Sequence, residues 1–223
     1  AGRAHQGHGG SMNLAGAIFD LDGTLVDSMD LWDRVPGMLV QSFGKEPAPD
    51  LAARLAAMDL PEAAQYLIET YRLPCTVQDV LSRVDQMVDE EYRCHVALKP
   101  GAGRLLEALS KKGVPMCIAT ASEEHQARQA MERLGQREHF SFVLSSSQYG
   151  PKTRPDIYLE AARRLGTVPA ETVVFEDALH AARTAHEAGF RVCGVWDVSA
   201  EEDQAALKAL ADWYVRDLGD WVP

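Results

Sequence analysis

The sequence predicts an α/β fold: a Rossmann-like parallel sheet with helices on both faces, interrupted by an inserted all-helical subdomain. Three observations predict it. Short apolar runs alternate with longer helical patterns along most of the chain, which implies parallel strands joined by right-handed crossovers. Most of the runs are apolar at consecutive positions rather than alternate ones, as expected of strands covered on both faces. Residues 28–98 break the alternation, with helix patterns and no convincing strand.

Each element follows from its local pattern. Leu14–Phe19 is a strand running into Asp20. Helix patterns then cover Leu31–Phe43, Pro61–Tyr71 and Val77–Val96, punctuated by Pro47, Pro49, Pro61 and Pro74. Beyond them, a helix over Ala102–Lys111 precedes a second strand, Val114–Ala119, which ends at Thr120. Glu123–Leu134 is helical, Phe142–Leu144 a weaker third strand, and Pro155–Leu165 the next helix. Thr172–Phe175 is a fourth strand ending at Glu176-Asp177, followed by a helix over Ala178–Ala188. Arg191–Val195, a helix over Ala200–Leu210 and an edge strand at Trp213–Val215 complete the series. Gly113, Gly135, Gly166 and Gly189 each stand where a helix needs a left-handed cap. The expected partition is a core of 12–27 and 99–223 with a helical insertion of 28–98, whose short linkers permit hinge motion over a site. Residues 1–11, rich in Gly and His, read as a leader added ahead of Met12 and are excluded from the fold.

Composition narrows the function. The 223 residues carry 22 Lys plus Arg against 33 Asp plus Glu, a net charge of −11, and 46% are hydrophobic. That is globular composition rather than disorder. The acidic balance argues against a nucleic-acid backbone or an anionic membrane surface as partner. No apolar run approaches the roughly 18 residues of a spanning helix. Cys75, Cys94, Cys117 and Cys193 are scattered, without metal or redox spacing, and read as reduced, mostly buried thiols. With no secretory signal visible, the expectation is a cytoplasmic monomer acting on a small molecule.

In an open parallel sheet, ligands bind outside the carboxyl ends of the strands. The first strand ends in Asp20-Leu21-Asp22-Gly23-Thr24, the second in Thr120-Ala121-Ser122, the fourth in Glu176-Asp177, and Lys152 follows the third. Any one of these alone reads as a turn or helix cap. Their arrival at one edge from four segments does not. Asp20, Asp22, Glu176 and Asp177 would repel unless a divalent cation sat among them, and hard oxygen ligands select Mg2+. Thr120, Ser122 and Lys152 add hydroxyl, amide and ammonium donors suited to a phosphoryl group. One carboxylate can form an aspartyl-phosphate, and another two residues on can exchange the proton.

The segment Phe19-Asp20-Leu21-Asp22-Gly23-Thr24-Leu25-Val26-Asp27-Ser28 resembles the signature of the haloacid dehalogenase-like superfamily in its phosphatase form. Ile118–Ser122, Lys152–Asp156 and Val174–Ala178 resemble its other three motifs, in order. The long gap before Thr120 and the short one before Lys152 match the branch with a helical cap after the first motif, similar to β-phosphoglucomutase and small sugar-phosphate phosphatases. The resemblance implies Asp20 as nucleophile and metal ligand, and Asp22 as general acid and base with its carbonyl on the metal. It implies Asp177, with Glu176, as further ligands. Thr120, the Ala121 N–H and Ser122 would hold the phosphoryl group, Lys152 would neutralise it, and Gly23 would let the chain pass close by. Thr24 would support the loop. Ala178 and Ala181 depart from the family, where a hydroxyl residue and a glycine are usual. The loop Ala57–Glu62 is the expected specificity segment. Leu60 stands about where phosphomutases carry a basic residue, which favours hydrolysis.

The reading is thus a magnesium-dependent phosphatase of a small phosphate ester. Its rivals are a phosphomutase of the same fold and a non-catalytic binding protein built on it. Asp22 argues against dehalogenation, because a halide leaving group needs no proton.

Overall fold

The structure, a computed structural model, describes residues 13–222; the leader expected over 1–11 lies outside them. In chain order the first elements are β1 (Gly16–Phe19), β2 (Val26–Asp27), α1 (Leu31–Ser42), α2 (Leu51–Leu55), α3 (Leu60–Tyr71), α4 (Val77–Cys94) and β3 (Ala97–Leu98). Then come α5 (Ala102–Lys111), β4 (Met116–Thr120), α6 (Glu124–Arg133), β5 (Val143–Ser145), α7 (Ser146–Tyr149) and α8 (Asp156–Leu165). The last are β6 (Thr172–Glu176), α9 (Leu179–Glu187), β7 (Arg191–Val195), α10 (Gln204–Leu210) and β8 (Trp213–Val215).

Six strands form one parallel sheet in the order β5-β4-β1-β6-β7-β8. The chain begins in the middle at β1, moves outward through β4 and β5, and returns to the other side of β1 with β6. Strand order therefore reverses between β1 and β6, and the crevice outside the carboxyl ends at such a point is the ligand site of doubly wound sheets. Phe19 pairs with Ile118 and with Phe175, so the residues after all three strands emerge side by side.

Successive strand residues face opposite sides, and both sides are filled. Ile18, Ala119 and Val174 join Ile157 of α8, Ala182 of α9 and Leu207 of α10 in one buried cluster. Phe19 points the other way and stacks on Phe175 at 4.4 Å, and Trp221 meets Phe175 edge-on at 5.1 Å. Gly194 in β7 is required by packing: a Cβ there would lie 2.9 Å from Cγ of Leu207.

The structure departs from the sequence reading in small elements. A two-residue antiparallel ladder pairs Val26 with Leu98 and Asp27 with Ala97, and its second strand falls in the stretch read as strandless. Two residues are too short to show a period. Helices α2 and α7 are missed for the same reason. The last predicted helix starts late: Val198–Asp203 is 3-10 turn, kinked at Ala200, because Asp197 accepts from the Ser199 amide at 2.9 Å. The four expected glycine caps all have positive φ, between 71° and 93°. Of the cysteines, Cys117 and Cys193 are buried, with burial pushing both thiols up. Cys94 at the end of α4 is exposed and Cys75 half-buried, so only half of them sit in the core. Among the described residues, no helix is long and apolar enough to cross a membrane.

The described residues divide into two compact units, 29–95 and, together, 13–28 with 96–222. Within the smaller one, α1 buries Leu31, Val35, Leu39 and Val40, and α4 buries Val80, Val84 and Val88. Spacings of four residues place Leu31, Val35 and Leu39 on one face of α1, and Val80, Val84 and Val88 on one face of α4. Asp59 caps α3 through the Glu62 amide, and Thr76 and Asp79 form a capping box at α4.

In the larger unit, the chain after β3 is pinned by a buried ion pair. Lys99 Nζ donates to Asp197 Oδ2 at 2.6 Å and to the Trp196 carbonyl at 3.2 Å. Removing one partner strands the other charge in the core. Asp197→Ala is therefore expected to destabilise the protein by about 3–5 kcal/mol and lower Tm by on the order of 10 °C. The apolar pair Lys99→Met/Asp197→Leu should recover most of that loss. Thermal melts of the three proteins check it, and a single variant as stable as wild type would refute it.

Candidate active site

The site grows from the loop after β1. Asp20 leaves the strand, its amide donating to the Phe175 carbonyl at 3.0 Å. The chain then coils tightly: the Leu25 and Val26 amides both donate to the Leu21 carbonyl, at 2.9 and 3.0 Å. Leu21 and Leu25 are buried and anchor the loop. Gly23 adopts φ 80° at the sharpest point, which a side chain would strain.

Three carboxylates converge there. One oxygen each from Asp20, Glu176 and Asp177 lie within 4.8 Å of one another, and all three residues are buried. Lys152 reaches in from the loop before α8. Its Nζ donates to Asp20 Oδ1 at 2.6 Å and to Glu176 Oε2 at 3.0 Å. Thr24 Oγ1 donates to Asp177 Oδ1 at 2.9 Å and lies 3.4 Å from Asp20 Oδ2. Thr24 was expected only to support the loop, yet it bridges two of the carboxylates.

The charges do not balance on their own. Burial, and then Glu176, push the Asp20 carboxyl up to about 6. Burial, Asp20 and Glu176 hold Asp177 well above the carboxylate range. Burial also works against charge on Glu176, but Lys152 together with hydrogen bonds from Asp20 and the Ala178 amide keeps that carboxyl below its usual value. Burial opposes charge on Lys152 too, and Asp20 and Glu176 overcome it, raising the ammonium well above its ordinary value. Three carboxylates thus face one ammonium in a dry place. An all-oxygen donor set with excess negative charge fits a hard divalent cation, and it disfavours a soft one.

Asp22 stands apart from this cluster. Ser28 Oγ donates to its Oδ1 and Ser122 Oγ to its Oδ2, each at 2.6 Å. Both oxygens are therefore held by hydroxyls from different segments. Thr120 is buried at the end of β4, where its Oγ1 accepts from the Ser122 amide at 3.0 Å. Ala121 is exposed. Ser145, at the end of β5, donates to the Ser122 carbonyl at 2.8 Å and steadies the same turn.

Of the predicted site residues, Asp20, Glu176, Asp177 and Lys152 meet in one cluster, and Asp22 and Ser122 meet in another. Ser28, Ser145 and Tyr158 were missed. Tyr158 Oη donates to Glu176 Oε2 at 3.1 Å, but in sequence it reads as part of an apolar helix face. Ser28 lies six residues from Asp22, a spacing that marks no regular element.

The pattern of the haloacid dehalogenase-like hydrolase family matches residues 17–195. A phosphorylated carbohydrates phosphatase of Thermotoga maritima is 28% identical over 198 residues, covering 88% of this chain and 91% of that protein. Hexitol phosphatase A of Escherichia coli is 31% identical over 196 residues, covering 88% of each. Among solved structures, a candidate β-phosphoglucomutase of Thermotoga maritima superposes with a TM-score of 0.81 at 27% identity, covering 93% of this chain and 96% of that one. With a buried acidic cluster at the strand-order reversal, and with that pattern running through it, the chain belongs to the haloacid dehalogenase-like hydrolases and is an enzyme of phosphate-monoester chemistry.

Proposed function

We infer that the protein hydrolyses the phosphate monoester of a small metabolite, a sugar or polyol phosphate, through an aspartyl-phosphate on Asp20. One observation carries this reading. Lys152 is clamped on Asp20, while a second carboxylate two residues on is held separately by two hydroxyls. This supports the first as a nucleophile and the second as a proton carrier. The relatives named for phosphorylated carbohydrates and hexitols support the substrate class.

An Asp20 oxygen attacks phosphorus and the bond from phosphorus to the ester oxygen breaks. Protonated Asp22 gives its proton to the departing alkoxide. A water then attacks the acyl phosphate, Asp22 takes the water's proton, and the bond from phosphorus to Asp20 breaks to release inorganic phosphate. Thr120 and the Ala121 amide donate to the phosphoryl oxygens, and Lys152 offsets their charge; Ser122, whose hydroxyl goes to Asp22 and whose amide goes to Thr120, shapes the turn that holds them. Asp20, Asp177, Glu176 and the Asp22 carbonyl would hold Mg2+, which when bound supplies positive charge against the phosphoryl group.

A phosphate-release screen over sugar and polyol phosphates with Mg2+ tests the reading. Equimolar phosphate and free alcohol are expected. An isomeric sugar phosphate without free phosphate would make the protein a mutase, and no turnover of any ester would favour a binding role.

Asp22→Asn separates leaving groups. For a sugar or polyol phosphate, kcat/KM should fall by about 10²–10⁴-fold, the usual contribution of a positioned acid. For p-nitrophenyl phosphate, whose leaving group needs no proton, kcat/KM should change far less. Equal losses on both substrates would remove Asp22 from the acid role.

A further inference from the structure

We propose that Tyr158 is a positioning residue of the phosphate site: its hydroxyl fixes Glu176, and through Glu176 it fixes the Lys152 ammonium against Asp20. The proposal rests on the reading of this site as a phosphoryl site and adds a residue to it.

Tyr158 sits in the first turn of α8 and is 1% exposed. Its ring packs against Phe190 with centroids 6.1 Å apart, a role that phenylalanine would fill equally well. The hydroxyl is what needs explaining, because burying one without a partner is unfavourable. Its partner is Glu176 Oε2 at 3.1 Å. A carboxylate only accepts, so the phenol donates.

Glu176 is thereby committed on both oxygens. Oε1 accepts from the Ala178 amide at 3.2 Å, and Oε2 accepts from Tyr158 and from Lys152 at 3.0 Å. The amide ties one oxygen to the backbone after β6, and the phenol ties the other to α8. Together they set the rotation of the carboxylate. Lys152 depends on that rotation, since its flexible stem carries a point charge that settles wherever its acceptors stand. Its acceptors are Asp20 Oδ1 and Glu176 Oε2. The Tyr158 ring, 5.8 Å from Nζ, lies beside the ammonium as well. A continuous line of hydrogen bonds thus runs from the core of α8 to the nucleophile: Tyr158, Glu176, Lys152, Asp20. Without its first link Glu176 keeps the Ala178 amide but loses its tie to α8, and the acceptor it offers Lys152 is no longer fixed from that side.

Tyr158→Phe keeps the ring and removes one donor. In the Mg2+-loaded enzyme, kcat should fall about tenfold or more, because a small misplacement at the reacting group is amplified in rate. Affinity for inorganic phosphate, titrated calorimetrically, should weaken several-fold, and Tm should move by no more than about 3 °C. The decisive readout is a cycle with Glu176→Ala, which removes both acceptor oxygens. If Tyr158 acts through Glu176, then adding Tyr158→Phe to Glu176→Ala changes kcat no further. A packing role would instead make the two losses multiply. Unchanged kcat and phosphate affinity in Tyr158→Phe, multiplying losses, or a melt well below wild type would each overturn the proposal. If wild-type protein bound phosphate but hydrolysed no ester, the hydrolytic reading would fail, and the phosphate titration would still decide the role of Tyr158.

Discussion

Replacing Asp20 with asparagine should reduce turnover of every phosphate ester by on the order of 10⁴-fold or more, the scale of loss when a covalent nucleophile is removed. The amide keeps the shape of the carboxylate and one acceptor for Lys152, but it cannot form the acyl phosphate. The fold should survive. Asp20 is buried beside Glu176 and Asp177, and it is pushed up to about 6 by burial and by Glu176. A neutral group there relieves repulsion that Lys152 does not cover. The metal-free variant should therefore melt no lower than metal-free wild type. Phosphate release with single-turnover sensitivity and a thermal melt check the two halves. Retained activity would remove Asp20 from the nucleophile's place, and a collapsed melt would mean that the side chain serves the fold.

The convergence of Asp20, Glu176 and Asp177 at one sheet edge was legible in the sequence because it is backbone-determined. A strand that ends in a carboxylate delivers it to a known edge, whatever surrounds it, and β1, β4 and β6 each end that way in polar residues. Asp20, Thr120 and Glu176-Asp177 could be placed by counting along apolar runs. Lys152 was found through its place in a loop after such a strand. The misses have a different character. Tyr158 sits within a buried helix face, where a phenol and a benzyl ring give the same periodicity, and only a three-dimensional partner separates them. Ser28 reaches Asp22 from the end of β2, a two-residue strand that leaves no period at all. Thr24 looked like loop furniture because its partner Asp177 is 153 positions away. Sequence patterning locates what regular elements carry to an edge, and it is blind to hydroxyls that tie those groups together from the side.

Chelation should silence the enzyme, by about 10³-fold or more, and Mg2+ should restore it, because a cation held by these carboxylates would supply several kcal/mol of transition-state charge stabilisation. The same cluster makes a second, independent signature in stability. Asp20 is raised to about 6, and Asp177 stands well above its usual range. A carboxyl raised on folding holds its proton in the native state at pH values where the unfolded chain has already lost it. The metal-free protein therefore loses stability as pH rises from about 4 through 6, and it stays poorer above that window. Glu176 is held below its ordinary value, so its contribution has the opposite sign: it stabilises above the ordinary carboxylate range and is lost as pH falls below it, at the acid end of that window. A cation must displace those protons, so its grip tightens as pH rises. At Mg2+ near a hundred times its Kd the gain is about 2.7 kcal/mol, or roughly 5–10 °C in Tm for a chain of this size. That gain should be present near pH 7.5 and largely absent near pH 5, where protons on Asp20 and Asp177 compete with the ion. It should shrink in the Asp20→Asn variant at the higher pH. Melts with and without Mg2+ at the two pH values measure it directly. An equal gain at both, or full activity in EDTA, would show that the buried carboxylates are balanced by the protein alone.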